Sequence, residues 1–392
     1  MSRLKELMAE LCPDGVEYKA IKEVYKRLKG TPITARQMKE IASADGDVRI
    51  YAGGKTVIDA HASDIPDANI IRVPAVLVQS RGIIDAVFYD KPFTFKNEMW
   101  AYTIEGAEYD STSVKFLYYV LKQNMNYFRS QAKGMGSLPQ ISLRVTEDFS
   151  IPVPPLPVQR EIVRILDNFT ELTAELTAEL TARKKQYEYY RDRLLTFTGG
   201  RVEWKKLGDV GPVCMCKRIL KNQTSTVGDV PFYKIGTFGG TANAFISKEV
   251  YQEYKREFSF PEVGEVLLSA AGTIGRTVEY DGRPAYYQDS NIVWIHNDES
   301  MVLNRYLFYF YQTKPWHIAE GGTIARLYND NIRRTPIPIP PLSEQRRIVS
   351  ILDHFDTLTN DLASGLPAEI AAREKQYAYY RDKLLSFPRK EM

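Results

Sequence analysis

Residues 151–169 read IPVPPLPVQREIVRILDNF, and residues 337–355 read IPIPPLSEQRRIVSILDHF, so the chain writes one phrase twice, 186 positions apart (337 − 151). Each copy runs on to a second shared phrase: KKQYEYYRDRLLTF ends at Phe197 and EKQYAYYRDKLLSF ends at Phe387. There the offset is 190 (387 − 197), so the second copy has gained four residues in between. Upstream, Val16-Glu17-Tyr18-Lys19 is echoed by Val202-Glu203-Trp204-Lys205, again at 186. A duplication on this scale decides the architecture before any local pattern is read.

The repeated phrases are helical. After Pro157, apolar residues at Ile162, Ile165, Leu166, Phe169, Leu172, Leu176, Leu180, Tyr187, Tyr190 and Leu194 form a stripe with mixed steps of three and four. It runs for about 40 residues, or roughly 60 Å at the rise of an α-helix. Its middle repeats Glu-Leu-Thr-Ala at 171, 175 and 179. The second copy is interrupted at Ser364-Gly365-Leu366-Pro367, where Gly can stop one helix and Pro can open the next, so two consecutive helices are expected there. Between these phrases the text is mixed. RVPAVLVQSRGIIDAVFYD (72–90) predicts two strands meeting at Arg81-Gly82, Trp100 to Ile104 another strand, and 113–131 a helix; GMGSLPQIS (134–142) is a loop. The segment 201–336 repeats that order, with GGTIARLYNDNI (321–332) standing in for the loop. The chain therefore reads as α+β: two pseudo-symmetric α/β domains, 1–150 (opened by a short helix at 3–11) and 198–336. Two long antiparallel, coiled-coil-like helical regions, 151–197 and 337–392, separate them.

Composition narrows the function. The 392 residues are 44% hydrophobic and 26% charged, as in an ordinary globular protein, and a net charge of +3 does not by itself announce a nucleic-acid binder. Three cysteines without a disulfide pattern, and no signal-like or membrane-length apolar run, point to the cytoplasm. Ala52-Gly53-Gly54-Lys55-Thr56 resembles the end of a phosphate loop, but Arg49 stands where its first Gly belongs, so Lys55 remains only as a loop cation. The four His (61, 296, 317, 354) have no metal-ligand spacing. Asp167 and Asp353 recur on the helices, where a solvated or partner-facing role is expected. No catalytic signature emerges.

Candidate DNA contacts are the basic clusters Lys26-Arg27-Leu28-Lys29 and Lys217-Arg218-Ile219-Leu220-Lys221, 191 apart, where cations can displace counterions from phosphates. Planar side chains on loops can pair with base edges: Arg81 in the first domain, and Arg276, Gln288, Asp289, Asn291 and Arg326 in the second. The Gln-Tyr-x-Tyr-Tyr-Arg-Asp runs place three tyrosines within four helical positions, more than a helix pair can bury. Tyr187, Tyr189, Tyr190 and Arg191, with Tyr377, Tyr379, Tyr380 and Arg381, are therefore candidate contacts for a protein partner.

The doubled Ile-Pro-x-Pro-Pro-Leu, the Gln-Arg-x-Ile-Val-x-Ile-Leu-Asp helix, the Glu-Leu-Thr-Ala repeat and the Gln-Tyr-x-Tyr-Tyr-Arg-Asp ending together resemble the specificity subunits of type I restriction-modification systems, over essentially the whole chain. The resemblance implies a non-catalytic reader of double-stranded DNA, with each target recognition domain taking one half of a bipartite target and the helices setting the spacer. It implies docking of two modification (methyltransferase) subunits that carry S-adenosylmethionine, and of restriction subunits that use ATP and Mg, with no cofactor in this chain. It also implies that the N-terminal segment meets the C-terminal end. A coiled-coil scaffold joining two proteins without DNA is the competing reading.

Overall fold

The computed structural model describes residues 2–65, 69–106, 110–134, 138–197, 202–316 and 326–390; parts of the two expected loops (135–137, 321–325) and His317 lie outside the described residues. The chain divides into two compact units, Met1–Leu176 with Ile370–Met392, and Thr177–Glu369. The first cut falls inside the middle Glu-Leu-Thr-Ala repeat.

Unit 1 opens with α1 (Ser2–Leu11), followed by β1 (Tyr18–Ala20), β2 (Lys26–Leu28), β3 (Val48–Tyr51) and β4 (Val57–Ala60). Then come β5 (Ala75–Gln79), β6 (Asp85–Tyr89), β7 (Phe93–Phe95), β8 (Trp100–Thr103), α2 (Ser111–Gln123), β9 (Ser150–Pro152) and the 40-residue α3 (Leu156–Leu195). A four-stranded sheet has the order β2-β8-β5-β6, a three-stranded one β4-β3-β7, and β1 pairs with β9. Asp110 caps α2 by accepting from the Thr112 N–H. The expected single helix over 113–131 breaks at Asn124, whose side-chain amide takes the Val120 carbonyl at 2.9 Å; a separate turn, Met125–Ser130, follows.

Unit 2 repeats this frame with β10 (Glu203–Lys206), β11 (Val213–Cys214), β12 (Val230–Tyr233), β13 (Phe245–Ile246), β14 (Val266–Ser269), β15 (Thr277–Glu279), β16 (Tyr286–Tyr287) and β17 (Ile292–Ile295). It ends with α4 (Asn304–Gln312), β18 (Pro336–Ile339) and α5 (Leu342–Asn360), while α6 (Leu366–Leu384) leads back into unit 1. The sheet orders are β11-β17-β14-β15 and β13-β12-β16, and β10 pairs with β18. The literal repeats are thus partners of each other: Tyr18 faces Pro152 in unit 1, and Trp204 faces Pro338 in unit 2, each 186 positions on. Their prolines sit where the pairing ends and a helix begins. The repeated Gln locks that corner, because Gln159 donates to the Pro154 carbonyl and Gln345 to the Pro340 carbonyl, both at 2.8 Å and both buried.

The interruption after α5 has a steric cause. Gly365 donates to the Asp361 carbonyl, and a Cβ there would lie 2.4 Å from the Thr357 carbonyl oxygen, so only glycine fits. Pro367 then sits in the first turn of α6, where its missing N–H costs nothing.

Asp167 and Asp353 are each paired within their own unit. Asp167 accepts from Tyr119 Oη and from Lys115 Nζ (2.7 Å); Asp353 accepts from Tyr309 Oη and from Arg305 Nε (both 2.6 Å). Each carboxylate ties a domain helix, α2 or α4, to the repeated helix. Burial, then the carboxylate acceptor, holds the Tyr119 and Tyr309 phenols above their ordinary range.

Candidate nucleic-acid interface

Strand register sets the polar residues of each unit. Ser80 and Ala270 occupy one position of the frame: Ile141 N–H donates to the Ser80 carbonyl (3.0 Å), and Leu327 N–H to the Ala270 carbonyl (2.8 Å). It follows that the bridge Arg81↔Gln140 in unit 1 corresponds to Ala271↔Arg326 in unit 2. The base-edge candidates Arg81 and Arg326 therefore stand on opposite sides of one bridge.

The same register separates the two basic clusters. Arg27 faces Tyr102 on β8 and Val213 faces Ile295 on β17, so Lys26–Lys29 corresponds to 212–215, not to Lys217–Lys221. The 191-residue spacing is accidental: the offset of 186 set by the closing strands persists through β2 and β11. Lys26 pairs with Glu105 and Arg27 with Glu147 (3.4 Å), at the end of β8 away from Arg81, so these cations do not join Arg81 and Lys55 in one site. Lys29 is exposed. Lys55 does lie by Arg81, because the Gly54 N–H donates to the Arg81 carbonyl.

Unit 2 assembles a cleft of about 460 Å³, and six expected residues line it: Arg218, Lys221, Gln288, Asp289, Asn291 and Arg326. The loop 288–291 lines it and is pinned on both sides. Gln288 donates its N–H to the Tyr233 carbonyl and accepts from the Ile235 N–H (both 2.9 Å), while Asp289 holds Arg218 at 3.0 Å. Ser290 takes φ +58°, a turn that points its carbonyl at Arg326 Nη2 (3.1 Å). Lys234, which the sequence reading missed, adds a fourth cation to the lining beside a single carboxylate. That excess of positive charge suits phosphate, and the amide of Asn291 suits a base edge. Two expected contacts fall outside the lining. Arg276 donates to the Phe238 carbonyl (2.6 Å) and so holds a loop, and Lys217 lies 4.8 Å above the Phe258 ring.

The tyrosine runs divide by face. Tyr187 is buried, donates to Gln312 (2.7 Å) and packs on Phe355, while Tyr190 stacks on Phe355 at 5.7 Å. In unit 1, Tyr377 packs on the core and Tyr380 stacks on Phe169 at 5.4 Å. Arg191 and Arg381 cover the Tyr187 and Tyr377 rings and pair with Asp192 and Asp382. Four tyrosines thus pack against neighbouring helices, and the two arginines brace them from the same helix. Tyr189 and Tyr379 are the most outward of the eight, 58% and 60% exposed, and Tyr190 keeps 37% of its surface exposed.

Residues 13–183 and 201–372 each match the type I restriction modification DNA specificity domain. The chain belongs to the type I restriction-modification specificity subunits. A putative specificity subunit of Haemophilus influenzae is 56% identical over 306 residues, covering 74% of this chain and 77% of its own. The EcoR124I/EcoR124II specificity subunit of Escherichia coli is 35% identical over 314 residues, 74% of each chain. The S subunit of Mycoplasma genitalium shares the fold at a TM-score of 0.59 and 15% identity, over 95% of this chain and 96% of its own. A DNA-specificity role accords with exposed cations and amides on loops over a repeated frame. Among the described residues no group of His, Cys, Asp and Glu could hold a metal, and no helix is long and apolar enough to cross a membrane.

Proposed function

We propose that each unit of this specificity subunit reads one half of a bipartite DNA target, and that α3 with α5 and α6 sets the spacer and docks the modification subunits. Methylation and cleavage then belong to partner subunits, which bring S-adenosylmethionine, ATP and Mg. One observation carries the reading: a single frame, closed by the same strands and tied by the same carboxylates, presents unlike side chains at its equivalent bridge, Arg81 and Gln140 against Ala271 and Arg326. Two surfaces that differ on one scaffold are what two half-sites require. Tyr189 and Tyr379, outward on matching helical phrases, suit two copies of one partner.

The test is deletion of one Glu-Leu-Thr-Ala unit, residues 175–178. Four residues are slightly more than one turn, so the apolar stripe stays in phase while α3 shortens by about 6 Å. That is between one and two base pairs at roughly 3.4 Å per pair. Adenine methylome sequencing should show a shorter spacer between unchanged half-sites. Altered half-site bases with an unchanged spacer would end the proposal.

A further inference from the structure

Unit 1 builds a row of side chains that its sequence conceals. The Gly82 N–H donates to the Pro139 carbonyl (2.8 Å) and the Ile141 N–H to the Ser80 carbonyl (3.0 Å), which makes Arg81 and Gln140 a directly opposed pair without bonds of its own. Such pairs bring their side chains closest and onto one face. On its other side Gln140 exchanges both backbone bonds with Lys133 (2.9 and 3.0 Å). Lys133, Gln140 and Arg81 therefore stand abreast across three extended segments joined by two bridges, each about 5 Å from the next. All three are exposed, and so is Lys55 on the turn that the Gly54–Arg81 bond brings alongside. Glu98, whose carboxylate lies by Gly53, is occupied by Lys96 at 3.1 Å.

We propose that Arg81 and Gln140 are the specificity-determining pair of unit 1, reading two adjacent purines in the major groove. Arg81 takes the O6 and N7 of a guanine, and Gln140 takes the N6 and N7 of an adenine. Lys133 and Lys55 meet the flanking phosphates. The chemistry follows from the groups: a guanidinium offers two parallel donors to guanine, and an amide offers the donor and acceptor that adenine alone matches. Side chains about 5 Å apart with flexible ends can reach bases stacked roughly 3.4 Å apart. In unit 2 the same bridge carries Ala271 beside Arg326, so the two halves differ where they are read.

This inference rests on the half-site reading above, and the experiment separates the two. The complete system, with its modification subunits, is sequenced for adenine methylation with the wild-type chain and with four variants. Gln140→Ala should relax one base position in one half-site by about ten- to hundredfold, and Arg81→Ala its immediate neighbour. Gln140→Arg should exchange adenine for guanine at the first position, and Arg326→Ala should affect only the other half. An unchanged motif in the Gln140 and Arg81 variants, relaxation at non-adjacent positions, or loss of all methylation by both Gln140 variants overturns this inference alone. A wild-type chain that directs no bipartite methylation overturns the half-site reading itself.

Discussion

Unit 2 is a single run of chain, whereas unit 1 is closed by two segments that meet across a gap in the covalent backbone. In unit 2 the helix ending at Leu195 leads within a few residues to β10. In unit 1 the equivalent step is made without a peptide link: the Val16 N–H donates to the Pro388 carbonyl, and the Lys390 N–H to the Val16 carbonyl, both at 3.0 Å. Tyr18 Oη donates to the Phe387 carbonyl, also at 3.0 Å, and Arg389 covers the Tyr18 ring. Leu4, with Leu7 and Met8, joins Leu384, Leu385 and Phe387 in one core, so the chain ends meet as the family resemblance implied. The lesson is that the frame is a cycle. Packing and strand pairing specify the join, and where the chain is cut is secondary.

That contrast can be broken most forcefully at the join. Phe387→Ala empties a buried site against Phe116 and should cost unit 1 about 3–5 kcal/mol. Hydrogen exchange followed by mass spectrometry should show lost protection in unit 1 and little change over 202–316; equal loss in both units would refute the join as a local closure. A smaller difference separates the two helix ties. Asp167→Ala strands Lys115 and Tyr119, at about 1–3 kcal/mol. Asp353→Ala removes the acceptor of Tyr309 but leaves Arg305 with Asp356 and Glu279, both at 3.2 Å, and on the Tyr309 oxygen at 2.9 Å, so with its carboxylate 43% exposed it should cost less than Asp167→Ala. Urea midpoints in the reverse order would sink this account of the ties.

The smallest effect is alkaline. Burial raises Tyr102, Tyr119 and Tyr118 (pushed up to about 12) in unit 1, and Tyr286, Tyr287, Tyr306, Tyr309, Tyr311 and Cys216 (about 12) in unit 2. Unfolded phenols ionise near 10, and the folded ones only higher. Their stabilisation is therefore complete below about pH 10 for the phenols and about pH 9 for the Cys216 thiol, and is lost as pH rises towards and beyond 12. Unit 2 holds more such groups, so its amides should lose protection first; simultaneous loss, tracked beside tyrosinate absorbance, would contradict this.

The frame was legible because identity concentrates where the same strand pairing recurs, Tyr18 on Pro152 and Trp204 on Pro338, and where the buried Gln159 and Gln345 sit behind their prolines. The 3.6-residue stripe on α3 and the Gly365-Leu366-Pro367 interruption could be read from pattern alone. Placement of the site could not. The cleft joins Arg218 to Asp289 and Arg326 to Ser290 through loop bonds between distant segments, and no periodicity encodes those. Matching Lys26 to Lys217 failed because charge spacing carries no register, whereas strand pairing does. Gln140 is not legible in the sequence, although its loop stands in for the one bearing Arg326, since an isolated Gln looks like any other polar loop residue. Which tyrosines of each run pack inward is not legible either, because a helix stripe does not reveal which neighbour covers it.

The central claim is that one frame carries two independent readers. Because β1·β9 and β10·β18 share their register at an offset of 186, residues 20–149 can replace 206–335 between the same closing strands. The measurement is the adenine methylome of the complete system carrying that exchange. The account predicts a target whose two halves carry the same bases, those of the half-site that unit 1 reads. Persistence of the original second half-site, or assembly of the full complex with no methylation at any bipartite site, would contradict it.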